Sequence, residues 1–214
     1  MAFIKSLSRR FLQWKTEIAD NKNIIIFSLF LLILSTVIDY NAGKYVNRVG
    51  SEVVSDIFID NIPPIDLGLI FVYGWLTIVL FLFCYPLFFK VKKLHEVISN
   101  FSLIIIVRSL FITLTHLKTP LDAVAVNFPG ILNPLVFQND LFFSGHTAIP
   151  FLGFLIFKEK KIRYFFLIMS VVMAITVLLM HQHYTIDVLS AYFITYGTFI
   201  IGKALFSVIN HKKE

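Results

Sequence analysis

Apolar runs of bilayer length recur six times along the chain, and that repetition decides its solvent before any motif is read. A hydrocarbon core takes roughly 17–25 apolar residues per helix. Candidate spans lie near 23–39, 66–89, 97–115, 141–157, 162–181 and 184–208. The expected fold is therefore an all-α integral membrane domain of six transmembrane helices within residues 23–210. Composition agrees, because 57% of the residues are hydrophobic, against roughly 45–50% in a soluble domain. Pro63–Pro64 and Pro129–Gly130 mark turns in the two longer loops.

Residues 1–22 read as a separate segment. Phe3, Ile4, Leu7, Phe11, Leu12, Trp14 and Ile18 recur at near-helical spacing, with Lys5, Arg9, Arg10 and Lys15 between them. The pattern predicts an amphipathic helix lying on an anionic membrane surface, with a disordered basic tail as the alternative. The lone Cys84 sits in an apolar run, so no internal disulfide is expected. The first apolar run follows a long mixed stretch with no small-residue cleavage site, so no cleavable signal peptide is expected.

Charge placement sets the expected orientation. The formal charge is +6, but the basic residues fall in short clusters between apolar runs, which argues against nucleic acid as a partner. Fifteen Lys and Arg collect on one side: five in the N-terminal segment, Lys90, Lys92 and Lys93, Lys158 to Arg163, and Lys203, Lys212 and Lys213. The other side holds only Lys44, Arg48 and Lys118. Such an excess predicts both termini in the cytoplasm, which an even number of spans satisfies. Small size and short loops point to a bacterial cytoplasmic membrane.

Orientation then gathers the polar interruptions. Arg108 lies seven residues below the outer end of the third span at Thr115, roughly 10 Å deep. The fourth span opens with Ser144, Gly145 and His146, the fifth ends at His181 and His183, and the sixth carries Asp187 about one turn in. Ionisable groups in hydrocarbon are costly and mark function by default. Their convergence on the outer leaflet predicts an extracytoplasmic site.

His183 and Asp187, four residues apart, share a helix face. A carboxylate there holds one imidazole nitrogen protonated and leaves the other for a substrate. Ser144–Gly145–His146–Thr147 offers backbone N–H groups to an anion. Arg108 supplies a planar fork for phosphate oxygens. Two histidines, one carboxylate and an arginine suit phosphoryl transfer with no metal and no cofactor. One histidine attacks phosphorus and the other protonates the departing oxygen.

Asp140–x–x–x–Ser144–Gly145–His146–Thr147, followed by His183–Tyr184–Thr185–Ile186–Asp187–Val188, resembles the paired signature of the sphingomyelin synthases, within the superfamily of type 2 phosphatidic acid phosphatases. The likeness runs through His181–Gln182–His183, Ala191–Tyr192–Phe193–Ile194–Thr195, Arg108 and, weakly, Pro63–Pro64–Ile65–Asp66. Gln138–Asn139 stands where that family carries Cys-Gly, and the phosphatase Lys…Arg-Pro motif is absent, which favours the synthase branch. The resemblance implies a six-span fold, His183 as the phosphorylated nucleophile, Asp187 as its orienter and His146 as acid–base partner. It implies Arg108, Ser144, Gly145, Asp140, Tyr184 and His181 as substrate-binding residues. It also implies transfer of a phospho-head group, phosphocholine or phosphoethanolamine, from a glycerophospholipid to a ceramide- or diacylglycerol-type acceptor.

Other readings stay open on sequence alone. Water as acceptor would make a lipid phosphate phosphatase. Buried histidines relaying protons would suit a proton-coupled transporter, and a polar cluster tying helices together would suit a membrane scaffold. Arg108 could pair structurally with Asp140 or Asp187, and His181 with His146, His183 and Asp187 could form a zinc set.

Overall fold

The structure, a computed structural model, describes residues 2–49, 52–130 and 136–210. Lys212 and Lys213 lie outside the described residues, as do the side chains of residues 1–10. The described chain is helical, with strand-like pairing limited to an isolated bridge between Glu52 and Leu117. Helix α1 covers Ala2–Asp20 and α2 Lys22–Val46. A π turn at Ile70–Gly74 runs into Trp75–Phe89, and together they make α3. Then follow α4 (Val91–Leu114), α5 (Gly145–Ile156), α6 (Lys160–Leu179) and α7 (Thr185–Asn210).

Five helices (α2, α3, α4, α6 and α7) are long and apolar enough to cross a membrane. Their outward faces carry Phe30, Ile33, Leu80, Leu110, Ile168, Phe193 and Ile201, all exposed, as a lipid solvent allows. The stretch expected as a fourth span, 141–157, departs from that form. Only twelve residues of it are helical, about 18 Å of rise. The reason is tertiary: the Arg108 side chain takes the carbonyls of Asp140 and Phe143, and Asp187 O takes the Ser144 N–H, so residues 140–144 are held as a strap.

That short helix is the centre of the bundle. Ala148, Ile149, Leu152 and Ile156 are fully buried against α3, α4, α6 and α7. A helix apolar on all sides belongs inside a protein. Gly153 lets α6 approach, since a Cβ there would fall 2.5 Å from the Phe166 ring. At the margin, α2 packs on α4 through a seven-residue stripe of small groups, Ser28, Ser35 and Ala42, with Ser28 Oγ 2.8 Å from Ser99 Oγ. Small residues let backbones close up where lipid offers no hydrophobic drive.

Two corners meet at one end of the bundle. Trp14 Nε1 of α1 donates to Leu87 O at 2.8 Å, a last-turn carbonyl of α3, and Lys90 pairs with Glu159 at 2.9 Å between the α3–α4 and α5–α6 connections. The opposite end carries the two longer loops. They are tied together by Glu52 N to His116 O and Lys118 N to Glu52 O, and they close over the starts of α5 and α7.

Candidate active site

The α6–α7 connection, only five residues long, positions the histidine–carboxylate pair. The Gln182 N–H donates to Val177 O and the His181 N–H to Leu178 O, at 2.9 and 3.0 Å. These are the two bonds of a Schellman ending, which puts the intervening residue in the left-handed region. His181 is that residue, at φ 55°. Glycine is the usual occupant, so histidine stands there at some conformational cost. Its ring is fully buried, with Nδ1 2.9 Å from Asp122 Oδ1 in the loop above. His181 thus builds the turn and faces the loop, while the chain reverses so that His183 and α7 enter the site.

Tyr184 is the cap residue of α7, and Asp187 stands three positions on. Asp187 Oδ2 accepts the Tyr184 N–H at 3.0 Å, the backward half of a capping box. The same oxygen lies 3.5 Å from His183 Nδ1. Asp187 is fully buried, and its Oδ1 has no hydrogen-bond partner. His183 is nearly buried, and the carboxylate on its Nδ1 side leaves Nε2 facing away from that partner. The Tyr184 hydroxyl donates to Lys118 O at 2.8 Å, which pins the loop to the turn.

His146 occupies the first turn of α5. Its ring stacks on Phe71 (centroids 4.1 Å apart, 26° between planes) and leans on Trp75 at 5.1 Å. The π turn of α3 carries Phe71 to this place. Nε2 of His146 is buried with no hydrogen-bond partner. Gly145 opens the helix, and a Cβ there would sit 3.5 Å from Arg108 Nε, an ordinary contact. Glycine therefore keeps the helix start open rather than relieving a clash. The first N–H groups of a helix have no intrahelical acceptor and face an anion favourably. Ser144 accepts the Thr147 hydroxyl at 3.3 Å behind that start.

Arg108 is buried in α4. Nε donates to Phe143 O at 2.9 Å, Nη1 to Asp140 Oδ2 at 3.1 Å, and Nη2 to Asp140 O. Asp39 of α2 lies 3.9 Å from Nη1 and accepts the Ser109 hydroxyl at 2.9 Å. The guanidinium therefore anchors the strap that delivers His146, with two carboxylates around it. Asp140 is its counter-ion. Of the nine residues singled out from sequence, Arg108, Asp140, Ser144, Gly145, His146, His183, Tyr184 and Asp187 gather at the starts of α5 and α7, while His181 points into the loop. Among the described residues, no three His, Cys, Asp or Glu side chains are grouped to hold a metal ion.

Residues 139–204, which hold eight of the nine residues singled out from sequence, all but Arg108, match the PAP2 superfamily C-terminal family. The chain carries a PAP2-like region. Part of the chain is also similar to phosphatidylcholine:ceramide cholinephosphotransferase 2 of Rattus norvegicus, 40% identical over 62 residues, and to that of Homo sapiens, 42% identical over 62 residues. Each match takes in 26% of this chain and 17% of the relative, so the likeness spans about one sixth of those proteins' length. No solved structure matches the chain.

Two acids escaped the reading of the sequence. Asp39 ends a run of apolar residues, and the cost of a carboxylate there is the signal that marked Arg108; it went unused because the first span was closed at that residue. Asp56 lies in a loop 129 positions from its partner and has no local signal. It accepts the Thr185 N–H at 2.6 Å and the Thr185 hydroxyl at 2.7 Å, at the first residue of α7. The Phe58 and Ile59 N–H groups add 2.9 and 3.2 Å bonds. Burial pushes the Asp56 carboxyl up, but the bonds from Thr185, Ile59 and Phe58 outweigh it and hold it below the ordinary carboxylate range.

Proposed function

We propose that the protein is an integral membrane lipid phosphotransferase, with both termini cytoplasmic and the site on the extracytoplasmic side. In this reading the short α5, with the strap before it, counts as the sixth span, and α1 is the interfacial helix of an N-terminal segment over residues 1–22. The observation that carries the reading is the His183–Asp187 pair: a buried carboxylate stands 3.5 Å from one imidazole nitrogen, and a second histidine, at the start of α5, has a buried, unpartnered nitrogen.

His183 Nε2 attacks the phosphorus of a glycerophospholipid, and the bond from phosphorus to the glycerol oxygen breaks. His146, protonated, gives its proton to that oxygen, releasing diacylglycerol. The phosphohistidine keeps the head group. An acceptor hydroxyl, of a ceramide or a diacylglycerol-type lipid, then loses its proton to His146 and attacks phosphorus, and the bond to Nε2 breaks. Asp187 stabilises the positive charge that His183 bears in the intermediate. The first-turn N–H groups of α5 and Arg108 face the non-bridging oxygens. The cholinephosphotransferase likeness supports phosphocholine as the first group to try.

The test is purified protein in nanodiscs, given phosphatidylcholine or phosphatidylethanolamine and a fluorescent ceramide, with products read by mass spectrometry. A new phospho-head-group lipid, lost in His183→Ala, supports the reading. Phosphocholine or phosphoethanolamine released together with diacylglycerol, and no new phospho-head-group lipid, makes the enzyme a hydrolase at the same site. Activity that survives His183→Ala overturns the mechanism.

A further inference from the structure

We propose that Asp56 is a positioning residue for the nucleophile: by occupying the donors of Thr185 it keeps Asp187 free to hold His183. This inference rests on the reading of His183 as nucleophile, and the geometry behind it is local. Thr185 is the first residue of α7, so its N–H has no acceptor within the helix. Two carboxylates stand at that helix start, Asp56 from the loop above and Asp187 from within the helix. They divide the donors between them. Asp56 takes both donors of Thr185, at 2.6 and 2.7 Å, while Asp187 Oδ2 takes the Tyr184 N–H and faces His183 Nδ1.

The division is fragile on one side. His183 Nδ1 stands 3.5 Å from Asp187 Oδ2, too far for a formed hydrogen bond, and both that nitrogen and Asp187 Oδ1 are buried with no partner. An acceptor in that state binds whatever donor is released nearby, because an unsatisfied buried carboxylate oxygen is costly. If Asp56 lets go of Thr185, the freed N–H and hydroxyl turn to Asp187, two residues on. The carboxylate then rotates toward the helix start and away from the imidazole. Asp56 can hold its post because it is itself locked: it is 8% exposed, with the Phe58 and Ile59 N–H groups on Oδ1 and its own N–H on Asp60. The loop at residues 54–60 thus acts on the nucleophile through Thr185 and Asp187.

The experiment uses the full chain in nanodiscs, labelled with 15N in its histidine rings, with the His183 signals assigned by their absence in His183→Gln. Turnover is followed on phosphatidylcholine and a fluorescent ceramide. In Asp56→Asn the His183 ring nitrogens are expected to lose the Nδ1–H form selected by Asp187. Turnover is expected to fall about 10–100-fold, the usual cost of removing a partner that orients a working side chain, with KM changed less than about 2-fold. Asp56→Glu is expected to recover part of the loss. Thr185→Val, which removes the hydroxyl alone, is expected to move the ring signals the same way by less, and it decides the matter if Asp56→Asn does not fold. Unchanged His183 ring signals, or unchanged turnover, in the folded variant overturn the proposal. A wild-type chain that shows no phosphotransfer sinks the reading of the site instead, and the ring signals then decide the role of Asp56 by themselves.

Discussion

Asp187 faces His183 across 3.5 Å, Oδ2 to Nδ1, with the same oxygen closing the first turn of α7 through the Tyr184 N–H. One carboxylate therefore caps the helix and, in the proposed mechanism, orients the nucleophile. Asp187→Asn keeps the shape but offers a neutral acceptor or a wrongly placed N–H to the imidazole. Turnover is expected to drop by about 10⁴-fold, the scale seen when such an orienting acid loses its charge. The loss of capping adds about 1 kcal/mol of destabilisation. Steady-state kinetics and thermal melting of the same sample separate the two effects.

His146 depends on Phe71 for its ring plane. Phe71→Leu preserves most of the buried volume and removes the stack. A stacked pair is worth roughly 0.5–1.5 kcal/mol beyond its area, so turnover is expected to fall about 3–10-fold. The melting temperature should fall modestly, because the same stack contributes to the fold, and differential scanning fluorimetry checks it.

Helix α6 reaches α5 at Gly153. Gly153→Ala puts a methyl group 2.5 Å from the fully buried Phe166 ring, which has no open side to move into. Overpacking of this kind costs about 1–3 kcal/mol. The double variant Gly153→Ala/Phe166→Leu is expected to regain stability relative to Gly153→Ala, as read by thermal unfolding in detergent.

Arg108 holds the strap before His146 through its fork. Arg108→Lys keeps the charge but cannot reach Phe143 O and Asp140 together. Removing one partner of a buried pair costs about 3–5 kcal/mol, and the cost here should be smaller because the Asp140 side chain keeps 27% of its exposure. Loss of melting temperature with loss of turnover, both milder in Arg108→Lys than in Arg108→Ala, is the expected pattern.

Asp56 gives stability a definite pH dependence. Its carboxyl is held below the ordinary value in the folded chain. Its contribution is therefore complete above that ordinary value and is lost as pH falls through the lowered one. Melting temperature measured from pH 6 down to pH 3 should fall in the wild type, and should fall less in Asp56→Asn, whose side chain does not titrate.

The chain's solvent was legible in its sequence because burying about 30 Å of backbone in hydrocarbon demands long apolar runs, which leave no other reading. The nearness of His183 to Asp187 was legible in their spacing of four, but the helix face expected for the pair is not what joins them: His183 lies in the connection before α7, and Asp187 reaches back to it from the first turn. The convergence of Arg108, His146 and His183 was expected from an alternation of six spans, whereas five of the described helices are long and apolar enough to cross a membrane. Tertiary structure decided the rest. That α5 keeps only twelve helical residues depends on Arg108 capturing two carbonyls some thirty residues away. That His181 is a turn residue rather than a neighbour of His183 depends on a left-handed conformation that residue types do not announce. That Asp56 anchors Thr185 depends on a contact 129 positions apart. Helical periodicity and hydropathy are local quantities, readable over a few turns. The donors and acceptors that meet where loops fold back on helix ends are chosen by geometry that no local pattern records.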